Sequence, residues 1–176
     1  MSALPASIRS ILAAGLRLAG QRRMARTVGW LGRRSVEEYW RLLAERDAYR
    51  KRFLEMMSAS NLDVLICPPS PHPALRHGAG RELTAAASYT MTYNVLGWPA
   101  GVVAASRVRP AEECDRPASR DLVERAAGRV ETGSAGLPIG VQVVGLPWRE
   151  DVVLSVMEAL EAHFRGQPDY PDVPAI

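Results

Sequence analysis

The chain has 176 residues, of which 47% are hydrophobic and 23% charged, and its formal net charge is +3. This composition is typical of a globular protein of one domain and excludes a disordered tail. No run of about 18 apolar residues occurs and the first residues carry scattered arginines, so neither a membrane span nor a signal peptide is indicated. Two cysteines, Cys67 and Cys114, are too few for a disulfide framework and fit a reducing compartment.

Positive charge is concentrated at the start of the chain. Seven arginines precede Glu37, the first carboxylate, and they stand at Arg9, Arg17, Arg22, Arg23, Arg26, Arg33 and Arg34. Apolar residues recur at helical spacing over 7–18 and again over 24–31. Residues 1–34 are therefore predicted to form a basic amphipathic helical hairpin.

The next helix begins at a capping-box spacing. Ser35 and Glu38 are three residues apart, an arrangement that opens a helix and predicts one from there to about residue 60. Its Tyr39, Leu43, Phe53 and Met57 are predicted to face a core. Strands are then predicted at 62–67, 101–106 and 139–145, and helices at 83–96, at 119–129 and after Trp148, with a polar, mobile loop at 107–118.

This alternation of strands and helices predicts an α/β fold. The strands are nearly continuous apolar runs, which is typical of a sheet covered by helices on both faces. Three strands of this kind leave edges that need partners, so the sheet is predicted to be incomplete in this chain. Residues 35–165 would form the main domain, and 166–176 a proline-rich tail.

Several separated blocks resemble fatty acid amide hydrolases, which belong to the amidase signature family. In chain order they are RSVEEYW at 34–40, LDVLICP at 62–68, SYTMTYN at 88–94, PAGVV at 99–103 and the glycine-rich strand segment 136–148. The resemblance implies the C-terminal part of the amidase signature fold, with a mixed sheet between helices. Residues 35–165 would then be the C-terminal part of an amidase domain.

The same resemblance implies a serine hydrolase that cleaves the carbon–nitrogen bond of fatty acid amides through a lysine-serine-serine relay, without cofactor or metal. In such a relay a neutral lysine accepts the proton of a serine nucleophile through a bridging serine. These groups belong to the N-terminal and middle portions of the family. The only lysine here, Lys51, lies between Arg50 and Arg52, and we expect it to be solvated. We therefore predict no catalytic residue in this chain and no activity of the chain alone.

Three other arrangements contain residue types that occur in catalytic or metal sites. Ser134 lies between glycines but fits a turn before a strand. Cys67, His72 and His77 are spaced like loose metal ligands, yet the prolines between them and the missing fourth ligand favour a plain loop. A triad based on His163 lacks a nucleophile elbow. None of the three is predicted to be a catalytic or metal site.

The resemblance also implies positions on a substrate route. These are Thr84, Ala87 and Met91 in the acyl-chain channel and Thr27 and Leu31 in the hairpin. Val123 replaces a channel tryptophan of mammalian members, so the preferred acyl chain is not predicted. Small and flexible apolar side chains suit a long alkyl group. The same residues also fit an ordinary hydrophobic core.

The hairpin corresponds by resemblance to a membrane-binding cap. The membrane-contact residues would be Ile8, Ile11, Leu12 and Leu16, with Arg17, Arg22, Arg23 and Arg26 near anionic lipid. Apolar insertion together with charge attraction is sufficient for peripheral binding. A hairpin packed on its own domain with its arginines in water fits the pattern as well. Nucleic acid is disfavoured because stacking aromatics are not interleaved with the charges.

Two functions follow from these patterns. The first is the C-terminal portion of a fatty acid amide hydrolase-like amidase. Its partners would be a fatty acid amide substrate in a complete enzyme, a membrane surface, and either an N-terminal amidase portion or a second copy of the chain. The alternative is a non-catalytic, membrane-peripheral module that binds lipids or a partner through the exposed sheet edge. The expected location is intracellular, peripheral on a membrane (the endoplasmic reticulum by resemblance) or cytoplasmic.

Overall fold

The computed structural model of the chain describes residues 5–172. Six α-helices and three strands occur in this range: α1 Ala6–Leu18, α2 Arg22–Trp30, α3 Val36–Ala59, β1 Val64–Cys67, α4 Ser88–Leu96, β2 Ala100–Arg107, α5 Leu122–Glu131, β3 Pro138–Gly145 and α6 Glu150–Arg165. Short 3₁₀ turns lie at Ala79–Arg81, Thr84–Ala87 and Pro110–Glu112. Of the helices within this range, none is both long and apolar enough to cross a bilayer.

The three strands form one sheet in the order β1-β3-β2. β3 is central and pairs antiparallel with both neighbours, with Val64 opposite Gly145 on one side and Ala100 opposite Val144 on the other. The predicted α/β fold class is confirmed. The strands of this chain are antiparallel throughout, however, so the mixed sheet of the expectation is not seen within it.

Helices cover both faces of the sheet. On one face, Met57 of α3 and Leu96 of α4 pack with Trp98 and Val144 in a fully or almost fully buried cluster. The Phe53 ring meets the Trp98 ring edge-on at a centroid distance of 5.1 Å. Side chains alternate along a strand, so the neighbours of Val144 point to the opposite face.

On that opposite face lies α6, whose Val153 is buried against β3. The helix comes so close that a Cβ on Gly145 would lie 2.5 Å from Val153 Cγ2. Glycine at this position therefore permits the helix to approach the sheet, and the sheet is sandwiched between α6 and the α3–α4 pair.

Both outer strands of the sheet present an edge without a further strand in the described part of the chain. β1 pairs only with residues 142–145 of β3, whereas β2 pairs with residues 138–144, with one shift of register between Ala104 and Ser106. Ile66 on β1 is 56% exposed and Val102 on β2 is 50% exposed. Apolar residues at open edges are typical of a sheet that continues in another segment.

The N-terminal hairpin and α5 form a second region. α1 and α2 pack against each other, and Ala25 and Ala13 are buried there. α5 buries Ala126, Ala127 and Val130 against Leu83. This second cluster is made of small side chains, in contrast to the large ones of the sheet core.

Some element predictions were wrong in detail. The helix predicted over 83–96 begins only at Ser88, after a 3₁₀ turn, and Gly97 ends it in the left-handed conformation. Tyr39 was predicted to face a core but is 56% exposed, because α3 contacts α4 through its C-terminal half and no element within residues 5–172 covers this side chain. Ser35 caps α3 by accepting from the Glu38 amide at 3.1 Å, whereas the Glu38 carboxylate pairs with Arg34.

Candidate functional site

A cavity of about 510 Å³ lies between α2, α5 and the turns that precede α4. Its apolar walls are Met24, Val28, Trp30, Leu122 and Val123, its neutral polar residues are Thr27 and Thr84, and its charged residues are Arg23, Arg26, Arg81, Glu82 and Arg129. Its size and its combination of apolar walls with polar and charged groups are those of a site for a small molecule.

The structure brings together part of the set that the sequence assigned to a substrate route. Thr27 of α2 and Thr84 of the 3₁₀ turn line the cavity, and so does Val123 of α5. Met91 and Leu31 are not among its lining residues and are 51% and 58% exposed. Ala87 is likewise exposed outside the cavity. The assignment of these residues to an acyl channel stays a prediction.

A chain of hydrogen-bonded polar side chains runs from the buried His72 to Arg23, which lines the cavity and is 52% exposed. His72 Nδ1 lies 2.8 Å from Glu131 Oε1, and both side chains are at most 10% exposed. Arg116 joins Glu131, at 2.7 Å from Nε to Oε2, to Glu124, at 2.6 Å from Nη1 to Oε2. Glu124 in turn pairs with Arg23 of the hairpin. We call these five residues the carboxylate relay; it connects α5 to the hairpin on one side and to the loop after β1 on the other.

The relay holds its two carboxylates in the ionised form. Burial raises the pKa of Glu131, but hydrogen bonds from Arg116 and His72 outweigh burial and the net pKa is lowered. The pKa of Glu124 is lowered chiefly by its hydrogen bond with Arg23, against burial and with help from Arg116. An ionised carboxylate only accepts hydrogen bonds, so His72 donates to Glu131 through Nδ1–H.

Sequence reasoning missed this relay. The segment 107–118, which was predicted to be a mobile polar loop, supplies Arg116 and holds it against α5. The signal in the sequence was faint: Glu124 and Glu131 are seven residues apart, on one face of a helix that also carries Ala127 and Gly128. A carboxylate on a face that must be buried requires a cationic partner.

The Gln21 side chain also fastens the hairpin to α5. Its Nε2 donates to the Arg120 carbonyl at 3.0 Å, and its Oε1 accepts from the Leu122 amide at 2.9 Å. Together with the pair between Arg23 and Glu124, these bonds set the distance between α2 and α5. They therefore set the width of the cavity between the two helices.

A second concavity, an open groove of about 790 Å³, lies at the end of β1. It is lined by the proline-rich segment 68–75, which contains His72, and by residues 138–141 of β3, which have no partner on the β1 side in the described chain. The prolines end β1 because they cannot donate to a sheet ladder. Within residues 5–172 no group of three His, Cys, Asp or Glu side chains is arranged to hold a metal, and His72 is engaged by Glu131.

The side chains of the types that serve as nucleophile or base in hydrolases are not positioned to do so here. Lys51 is 78% exposed, 3.9 Å from Glu55, which confirms the expectation of a solvated side chain. Ser134 lies in the predicted turn before β3 and is 1% exposed, so a substrate has no access to its hydroxyl. His163 is exposed on α6 beside the Phe164 ring.

The hairpin exposes much of its apolar surface. Ile11 is 72% exposed, Leu18 92% and Trp30 69%, and Ile8 and Leu12 are close to half exposed, whereas Leu16 is partly buried. The four arginines predicted to contact a membrane, Arg17, Arg22, Arg23 and Arg26, are all exposed. Arg23 differs from the other three because it is held by Glu124.

Fold and sequence together define the class of this protein. The family profile for Amidase matches residues 7–154, and the chain belongs to this family. The resemblance seen in the sequence blocks is thereby confirmed.

Particular relatives make the similarity more specific. The chain is 35% identical to fatty acid amide hydrolase 1 of Caenorhabditis elegans over 127 residues, which cover 70% of this chain and 22% of that protein. It is 34% identical to fatty-acid amide hydrolase 1 of Sus scrofa over 143 residues, covering 79% and 24% respectively. The chain thus matches about a quarter of the length of these curated relatives.

A solved structure of a fatty acid amide hydrolase has the same fold. It superposes with a TM-score of 0.61 over 95% of this chain and 33% of its own, at 16% sequence identity.

Proposed function

We propose that this chain is the C-terminal portion of an amidase that hydrolyses fatty acid amides. It would contribute a wall of the acyl-binding cavity and a membrane-facing hairpin, while the catalytic groups come from another segment. The observation that carries this proposal is the cavity between α2 and α5, whose lining includes Thr27, Thr84 and Val123, in a chain similar to proteins named fatty acid amide hydrolases.

The lining suits a long alkyl chain. Met24, Val28 and Leu122 offer flexible or branched apolar surface, and Trp30 offers a large flat one. Removing apolar surface of the ligand from water contributes about 25 cal/mol per Å², so affinity would grow with chain length until the cavity is filled.

Hydrolysis itself requires an activated nucleophile and donors for the developing oxyanion. Among the described residues, the exposed Lys51 and the inaccessible Ser134 cannot act as a relay. We therefore propose that the 176-residue chain is inactive alone, and that the lysine and two serines implied by the family act from an N-terminal amidase portion.

The exposed edges of the sheet support the proposal that an N-terminal amidase portion completes it. Within residues 5–172, β1 presents an unpaired edge with the exposed Ile66, and residues 138–141 of β3 lack a neighbour on the same side. Pairing with a further strand would satisfy these backbone groups and bury the apolar residues. A homodimer through the same edge is the competing arrangement.

Fluorophosphonate labelling with an intact-mass readout tests the catalytic part of the proposal. The purified chain should show no serine adduct and no hydrolysis of a long-chain amide. When it is co-expressed with the N-terminal amidase portion of a relative, labelling should appear on that portion and amide hydrolysis should be measurable. An adduct on the 176-residue chain alone would overturn the proposal.

A second candidate function, a non-catalytic membrane-peripheral module, is favoured by one observation: the hairpin exposes Ile11, Leu18 and Trp30 beside exposed arginines. Flotation with vesicles of anionic lipid tests it. Replacing Arg17, Arg22 and Arg26 by glutamate should abolish flotation while leaving the Arg23 pair intact.

The matched control for that experiment replaces three exposed arginines outside the hairpin, Arg41, Arg52 and Arg125, by glutamate. The change in net charge is the same, so flotation should persist. Equal flotation of both variants would contradict attachment through the hairpin.

A further inference from the structure

The charges around the cavity between α2 and α5 are not balanced. Four arginines line it and one carboxylate, Glu82, does so. Arg129 donates to Glu82 at 2.6 Å and Arg23 is paired with Glu124. The two remaining arginines, Arg26 and Arg81, have no acidic partner within the described part of the chain.

These two arginines come from different elements. Arg26 lies on α2 and Arg81 in the 3₁₀ turn that follows the proline-rich loop, and both line the same cavity beside apolar walls. A guanidinium has a planar set of donors that matches a carboxylate or sulfonate. Both side chains are exposed to solvent, so their attraction for an anion is screened by salt.

A neutral ligand head would form no charge-assisted hydrogen bond with either guanidinium group. A ligand with an alkyl chain and an anionic end satisfies both parts of the cavity, because the chain meets Met24, Val28 and Val123 and the anion meets the guanidinium groups. Shape and charge therefore point to the same class of molecule.

We propose that this cavity selects single-chain amphiphiles with an anionic head group, carboxylate or sulfonate, and that Arg26 and Arg81 bind this head. The inference rests on the proposed function and narrows its substrate class to fatty acid amides whose amine part carries a negative charge, such as N-acyl amino acids. Arg26 and Arg81 are thus assigned as specificity-determining residues.

Two ligands that share one acyl chain test the proposal: N-palmitoylglycine and N-palmitoylethanolamine, which differ in a carboxylate against a hydroxymethyl group. Their affinities for the full chain are measured by displacement of a fluorescent fatty acid probe, below the micellar concentration and without vesicles. We expect N-palmitoylglycine to bind about tenfold more tightly, which corresponds to about 1.4 kcal/mol. This preference should decrease as salt is added.

The double variant Arg26→Gln and Arg81→Gln should reduce the preference to within about twofold, because uncharged amides no longer favour the anion. Its affinity for N-palmitoylethanolamine should be unchanged, which also reports that the cavity is intact. The matched control, Arg22→Gln with Arg125→Gln, removes the same charge from exposed positions outside the cavity and should keep the preference.

The outcomes separate this inference from the proposed function. Equal affinity for the two ligands in the unmodified chain would overturn the anion preference and leave the acyl cavity standing. Binding of neither ligand would overturn both. Loss of the preference in the control variant as well would show a general charge effect and overturn the assignment of Arg26 and Arg81.

Discussion

The sheet region and the hairpin region are held together by different forces. In the sheet region, Met57, Leu96 and Val144 are completely buried and pack against large neighbours. In the hairpin, the completely buried residue is Ala25, while Leu18 and Trp30 point largely into solvent. The hairpin is fastened by polar groups, through Gln21 and the carboxylate relay. Apolar burial thus stabilises the sheet region, and directional polar contacts set the position of the hairpin.

This difference determines what holds the cavity in shape. The cavity lies between the hairpin, α5 and the turns before α4, so the distance between α2 and α5 depends on the polar contacts and not on the sheet core. Directional contacts fix a distance but contribute less free energy than a large apolar core. Four predictions test the comparison, beginning with the largest expected effect.

Leu96→Ala should have the largest effect, a loss of about 2–5 kcal/mol in the free energy of unfolding, because the cavity it leaves is fully enclosed. The measurement is urea unfolding followed by far-UV circular dichroism. Leu154→Ala on α6 is the matched control, since Leu154 is 63% exposed and should cost less than about 1 kcal/mol. Equal losses would mean that the sheet core does not carry the stability.

Glu131→Gln should come second, with a loss of about 1–3 kcal/mol, because a buried acceptor of charge-assisted hydrogen bonds is replaced by a neutral amide. His72 and Arg116 lose their carboxylate partner, while Arg116 keeps its pair with Glu124. Glu158→Gln, at an exposed position of α6, is the control and should be close to neutral. A neutral result for Glu131→Gln would show that the relay does not stabilise this region.

Acidification should have a smaller effect, because a protonated carboxyl still forms hydrogen bonds. The pKa values of Glu124 and Glu131 are lowered in the folded chain, by Arg23 and Arg116 and, for Glu131, by His72 against the opposing effect of burial. Their contribution is therefore complete above the unfolded pKa of about 4.3 and is lost as the pH falls through the lower folded values.

The measurement is the free energy of unfolding from about pH 7 to about pH 3, compared with the double variant Glu124→Gln and Glu131→Gln. The unmodified chain should lose more stability than the variant over this range. Parallel curves of the free energy of unfolding against pH would show that ionisation of the two carboxylates does not contribute to stability.

Arg23→Gln should have the smallest effect on global stability, under about 1 kcal/mol, because its side chain is 52% exposed. It should nevertheless loosen the hairpin, so hydrogen exchange of the α2 amides should become faster while exchange in β3 stays unchanged. Arg22→Gln, one residue earlier and without an ion pair in the described chain, is the control. Faster exchange in both variants would contradict the role assigned to the pair between Arg23 and Glu124.

Local patterns in the sequence predicted most elements to within a few residues. α6 was predicted to follow Trp148 and begins at Glu150, and its Val153 is buried. The start of α4 was misplaced because an alanine-rich stretch fits a 3₁₀ turn as well as an α-helix, and packing against α5 decides between them. The exposure of Tyr39 could not be predicted, since a periodic apolar position does not reveal whether its cover lies in the same chain.

By itself, the sequence determined the family, the three apolar strands, the basic hairpin and the exposure of its only lysine, because each of these depends on residue type or on neighbours a few positions apart. The tertiary structure decided the antiparallel order of the sheet, the cavity and the carboxylate relay. The pair between Arg23 and Glu124 joins residues 101 positions apart, and that between His72 and Glu131 joins residues 59 apart. The fold alone selects such partners, because a charged side chain can pair with any opposite charge that packing brings within reach.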